Sequence, residues 1–116
     1  MIYKMSKQHA KLFPLADLNG QIAKYDEEME ELNLAKSQAK QTIELADCYI
    51  CCAGMYRFDK EIAEANLAII QLMAETLGID WLNVLDTAAK KWEVNMKRKW
   101  EYKDGKYHHI GIDGFE

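Results

Sequence analysis

The sequence predicts an all-α protein, a four-helix bundle-like arrangement with a short irregular C-terminal tail. Three observations predict it. Only one proline and six glycines interrupt the chain. Apolar residues recur at spacings of three and four, and no stretch alternates apolar and polar residues with the period of two that a half-buried strand needs.

Leu15, Leu18, Ile22, Tyr25, Met29 and Leu32 form one stripe of a first long helix. Pro14 suits its first turn, where a missing N–H costs little. A second helix, Gln38 to Tyr56, carries Ile43, Ala46, Tyr49, Ile50 and Ala53 on its apolar side and is hydrophobic around most of its circumference, which predicts a central place in the bundle. A third begins after Asp59 as N-cap, turns Ile62, Ile69, Ile70, Met73 and Leu77 inward, and stops at Gly78. Asp80 caps a fourth, from about Trp81 to Trp100, whose inward stripe is Trp81, Leu85, Ala88 and Trp92. Beyond it, Lys103-Asp104-Gly105-Lys106 reads as a turn, and the tail with Gly111 and Gly114 lacks helical periodicity, as a loop or short hairpin would.

At 116 residues, 49% of them hydrophobic, the chain can bury one core, so residues 1–116 read as a single domain. A net charge of −4 and a pI near 5.4 exclude a general duplex nucleic-acid binder, which needs a positive surface to displace condensed counterions. No apolar signal core follows Met1, and the nearly apolar run Cys48 to Tyr56 is too short to span a bilayer, so no membrane partner and a cytoplasmic location are expected. Cys48, Cys51 and Cys52 are odd in number and share one helix, which suits buried free thiols better than a disulfide framework. A zinc site joining Cys48 and Cys51 to His108 and His109 is the sharper alternative, resting on a single Cys-x-x-Cys.

The chemistry concentrates in two acidic pairs. Glu28 and Glu31 stack on one helix face inside the run Asp26-Glu27-Glu28-Met29-Glu30-Glu31. Taken alone this run fits a solvated helix face. Glu44 and Asp47 are different, because they interrupt a segment otherwise built for burial, and an unpaired charge there costs several kcal/mol by general estimates, of order 3–5. No lysine or arginine stands on that helix's interior stretch. If the chain reverses near Lys36 to Gln38, both pairs meet at one level. Four converging carboxylates repel one another, and a hard divalent cation with oxygen ligands is the natural compensation, Mg2+ before zinc. Lys91, Asn95 and Arg98 then align on one face of the fourth helix, where cations could meet phosphates; a solvated basic face near a helix C-terminus is the simpler alternative.

Glu27-Glu28-Met29-Glu30-Glu31-Leu32, twelve intervening residues, and Glu44-Leu45-Ala46-Asp47 resemble the E-E-x-x-E and E-x-x-D signature of MazG-like all-α nucleotide pyrophosphohydrolases. Lys91-x-x-x-Asn95-x-x-Arg98-Lys99-Trp100 and the stretch from Asp104-Gly105 to His108 are similar to that family's C-terminal pattern, although Glu101 stands where many relatives carry glycine.

The resemblance implies hydrolysis of (deoxy)nucleoside triphosphates to monophosphate and pyrophosphate by a homodimer or homotetramer, often as nucleotide-pool house-cleaning. By that resemblance Glu28, Glu31, Glu44 and Asp47 are the metal ligands for Mg2+, with Mn2+ as a substitute. Lys91 and Arg98 hold phosphate oxygens, Asn95 orients substrate or a ligand side chain, and Glu27 assists a water. Tyr25, Tyr49 and Trp100 are candidates to stack on the base, though aromatics at helical spacing usually fill a core. A dUTPase-like or phosphoribosyl-ATP pyrophosphohydrolase is the alternative among enzymes. A non-catalytic helical interaction module is the alternative outside them.

Overall fold

Side-chain caps set where four of the helices begin. In a computed structural model describing residues 1–112, Asp17 accepts a hydrogen bond from the Gly20 N–H (2.7 Å) and Ser37 from that of Lys40 (3.1 Å). Asp59 does the same for Ile62 (3.1 Å), as does Asp80 for Leu82 (3.0 Å). Each satisfies a donor that the first helical turn leaves orphaned, worth about 1 kcal/mol.

The described residues form five helices and a two-stranded hairpin: α1 (Ile2–Leu12), α2 (Leu18–Leu34), α3 (Gln38–Tyr56), α4 (Lys60–Thr76), α5 (Trp81–Lys97), β1 (Arg98–Lys103) and β2 (Lys106–Ile112). The structure is mostly helical, as expected, with four corrections to the elements. The first is α1, a helix added ahead of the expected four. The second is the start of α2, which is capped by Asp17; Pro14 lies in the turn before it and Leu15 is exposed. The third is the end of α5 at Lys97, where Arg98 takes extended backbone (φ −75°, ψ 154°) and opens β1. The fourth is the tail, which is not irregular but takes the hairpin alternative, its strands paired antiparallel. Asp104 and Gly105 both have positive φ (55° and 80°), the backbone of a two-residue type I′ turn. Gly114 lies outside the described residues.

Helix α3 is central, as its all-round hydrophobicity predicts. It packs against α1, α2, α4 and α5, and ten of its residues are buried. A Cβ on Gly54 would collide with Gln21 Oε1 of α2 and lie 2.8 Å from His9 Nε2 of α1, so a larger residue there would have to displace those side chains. Two stripe assignments are corrected: Ile43 and Ile69 are exposed, while Ala63, Ile70 and Ala74 form the buried line of α4. Gly78 does terminate α4, in the left-handed region (φ 71°), with the Ile79 N–H donating to the Ala74 carbonyl at 2.8 Å as in a Schellman motif.

Polar groups fix α1 and the hairpin to this frame. Buried His9 stacks near Trp92 (centroids 6.0 Å apart), with the Arg57 guanidinium 3.2 Å from its Nδ1. Arg57 also donates to the Phe13 carbonyl (2.8 Å), and Phe13 packs edge-on against Trp100 and Tyr107 of the hairpin. The Tyr107 hydroxyl accepts from the Leu15 N–H at 2.9 Å. The three cysteines are free and buried, as expected. No helix of the described residues is long and apolar enough to cross a membrane.

Burial, and then the positive Arg57 beside it, lower the His9 pKa to about 4 against an opposing hydrogen bond from Gln21. The unfolded chain therefore binds the extra proton between pH 6.5 and 4. His9 should contribute its full stability above pH 6.5 and lose up to about 3 kcal/mol as pH falls to 4. Chemical denaturation at pH 7 and pH 4.5 measures this: the loss should be smaller in His9→Gln, and equal losses in both proteins would contradict the assignment.

Candidate metal centre

The α2–α3 hairpin brings three of the four carboxylates to one level. One carboxylate oxygen from each of Glu28, Glu31 and Glu44 lies within 4.8 Å of the other two. Glu28 and Glu44 face the interior and are only 8% and 3% exposed, whereas Glu31 is exposed. The position of Glu44 follows from its helix: α3 is buried on nearly every side, so even its polar residues are carried inward.

Each buried carboxylate is half satisfied. Glu28 Oε1 meets Lys24 Nζ at 3.8 Å and Glu44 Oε1 meets Lys40 Nζ at 3.4 Å. Glu28 Oε2 and Glu44 Oε2 are buried with no hydrogen-bond partner. Burial raises the Glu28 pKa well above the carboxylate range, helped by the neighbouring Glu44, Asp47 and Glu31 carboxylates. The orphaned oxygens and the all-oxygen donor set fit a hard divalent cation.

Asp47 is placed differently from the other three. It stands one helical turn beyond Glu44, outside the group of three, and its Oδ1 forms an ion pair with Lys91 Nζ of α5 at 3.1 Å. Its charge still reaches Glu28. Glu27 is exposed on α2 and is not drawn into the cluster.

The basic constellation is only partly assembled as expected. Lys91 reaches the acidic site through Asp47. Arg98 shares no helix face with Lys91 and Asn95, because it has left the helix. Its Nη1 returns to Asn95 Oδ1 at 3.4 Å, and its buried Nε has no partner. The Asn95 carbonyl accepts from Trp100 Nε1 at 2.8 Å, which secures the start of β1 against the end of α5.

A shallow depression of about 400 Å3 at the α2–α3 turn is lined by Glu31, Leu34, Ala35, Lys36, Lys40 and Glu44, and so borders the carboxylates. Another, of about 450 Å3, lies among Gln71, Glu75, Ile79 and Trp81 and offers one carboxylate and no cation. The first carries two carboxylates and two lysines.

Other candidates separate from the site. Tyr25 and Tyr49 are buried in the core, and Trp100 packs on Phe13. Among the described residues Cys48 and Cys51 share no metal-ligand cluster with His108 or His109; both histidines are exposed, and burial raises both thiols' pKa. The residues that sequence reasoning missed are Lys24 and Lys40. Their signal was present, each lying four positions before a buried glutamate on its own helix. Compared with protein-family models, curated proteins and solved structures, the chain gives no match.

If a cation is what the orphaned oxygens accommodate, removing one carboxylate relieves repulsion and removes the ion's hold. In EDTA, Glu44→Gln should melt above the wild type, by about 1 kcal/mol or more of added stability. Mg2+ at a hundred times its Kd should add about 2.7 kcal/mol to the wild type and almost nothing to the variant. Identical melting of the wild type in EDTA and in Mg2+ would remove the metal from the account.

Proposed function

We propose that the chain is a magnesium-dependent nucleoside triphosphate pyrophosphohydrolase of MazG-like type, with Mn2+ as a substitute ion and nucleotide-pool house-cleaning as its task. The convergence of Glu28, Glu31 and Glu44, two of them ending in buried oxygens without partners, carries this reading. With Asp47 they would hold the ion. A divalent cation held there supplies charge neutralisation and Lewis acidity to a bound triphosphate.

The chain's own groups supply the rest. Lys91, tied to Asp47 at 3.1 Å, stands where a cation could grip phosphate oxygens beside the carboxylates. Arg98, with an unsatisfied buried Nε and with Asn95 holding its Nη1, offers a guanidinium already fixed in place. Glu27 is the candidate proton acceptor for the attacking water, on its position next to Glu28 rather than on a contact. Fixed groups of this kind lower a barrier mainly by positioning and electrostatics.

A helical interaction module is the second reading, and the lysine–carboxylate pairs favour it, since an acidic face can be neutralised internally. Incubation with nucleoside triphosphates, dUTP included, and with phosphoribosyl-ATP in Mg2+ separates the two. The enzyme should release pyrophosphate and a monophosphate from at least one of them. Glu44→Ala and Asp47→Ala should each lose more than about 100-fold in rate, and Glu30→Ala should stay within about two-fold. A folded wild type inert towards every substrate would leave the interaction module; an inactive Glu30→Ala beside an active Asp47→Ala would refute the ligand set.

The same reading includes a homodimer or homotetramer, supported by Ile69, Leu72 and Leu82, which lie exposed on the outer sides of α4 and α5. Light scattering at micromolar concentration should give a multiple of the 13.5 kDa chain mass. A compact monomer would overturn it.

A further inference from the structure

Three carboxylates at this site, Glu28, Glu44 and Asp47, are paired with three lysines contributed by three helices: Lys24 on α2, Lys40 on α3 and Lys91 on α5. Ordinary helix stabilisation accounts poorly for the first two pairs, because lysine precedes glutamate by four residues, the less favourable order along the helix dipole. The third pair crosses between helices. All three lysines reach the carboxylates from more exposed positions, with side chains 62%, 61% and 37% accessible, against 11%, 4% and 24% for their partners. Such side chains keep their stems on the surface and can swing away at little cost. The pairs also leave Glu28 Oε2 and Glu44 Oε2 buried and unmatched, so the lysines do not complete the site. Lys40 in addition lines the depression beside Glu31 and Glu44, where a polyphosphate would lie.

We propose that Lys24, Lys40 and Lys91 are exchangeable counter-ions that leave their carboxylates when a divalent cation is taken up, and then bind the oxygens of the substrate's polyphosphate. Lys24 and Lys40 thereby join Lys91 as phosphate-binding residues. This rests on the pyrophosphohydrolase reading but makes a separate demand: freeing a lysine must create anion affinity even without metal.

Calorimetric titration of inorganic pyrophosphate in EDTA tests it. Asp47→Asn, which frees Lys91, should bind more tightly than the wild type by on the order of five-fold, the factor a half-exposed ion pair is worth. Asp47→Asn combined with Lys91→Gln should lose that gain. Glu44→Gln, alone and combined with Lys40→Gln, repeats the cycle at the second pair, with circular dichroism confirming that each variant is folded. A gain that persists undiminished when the lysine is removed comes from the lost negative charge alone and overturns the proposal, as does the absence of any gain. Either failure could occur in a protein that hydrolyses nucleotides with Mg2+, and success could occur in one that does not.

Discussion

Two carboxylates buried on facing helices constrain everything else in this molecule. Glu44 lies on the most enclosed helix of the fold and Glu28 on the helix packed against it, both nearly removed from water. Charged groups in that setting cost several kcal/mol unless compensated, of order 3–5 when one lacks its partner. Around them Leu45, Ala46, Cys48, Tyr49 and Cys52 are buried in the same helix, and their packing holds the carboxylates in place against mutual repulsion. The acidic site is thus built on rigid elements, which keep its carboxylate oxygens close together.

The far end of α5 is held with comparable care. His9, Phe13, Trp92, Trp100 and Tyr107 form a continuous aromatic contact from α1 through α5 to the hairpin, and Arg57 stitches its guanidinium into the same corner. That corner decides where Arg98 stands. A further turn of helix would have put Arg98 on a face with Lys91 and Asn95; the hairpin instead draws the backbone away, and the side chain returns to Asn95. The cost is a buried Nε without a partner, which leaves a donor available to an anionic oxygen.

Much of this was legible in the residues. Asp59 and Asp80 announce two helix starts, and the hydrophobicity of Gln38 to Tyr56 announces the central helix, because capping and all-round burial are local properties of sequence. Helix α1 was hidden because its inward face includes the polar residues Ser6 and His9, and His9 meets its polar partner Arg57 only in the folded chain. Asp104-Gly105 gave the turn, but the strands beside it depend on Phe13, ninety residues away in the chain. The meeting of Glu28, Glu31 and Glu44 follows from the helix reversal at Ser37. Lys24 and Lys40 are not legible as partners of buried carboxylates from the interior stretch of their helices, because long cationic side chains reach inward from the surface.

What distinguishes the two functional readings is the pairing left undone. An acidic face neutralised for its own sake should match carboxylate oxygens to donors throughout, since buried acceptors without partners are rare and costly. Here the lysines meet only the Oε1 atoms of Glu28 and Glu44, and their long stems leave the charges toward the solvent side of the cluster. A proton on Glu28 could bridge the two remaining oxygens, consistent with its raised pKa, but one proton serves one neighbouring carboxylate at a time, and both Glu44 and Glu31 lie close. A divalent cation needs several oxygens at once and is favoured most where they are already crowded. The interaction reading accounts for the lysines and needs a proton on Glu28 to account for the buried oxygens; the metal reading accounts for the oxygens and gives the lysines a second task.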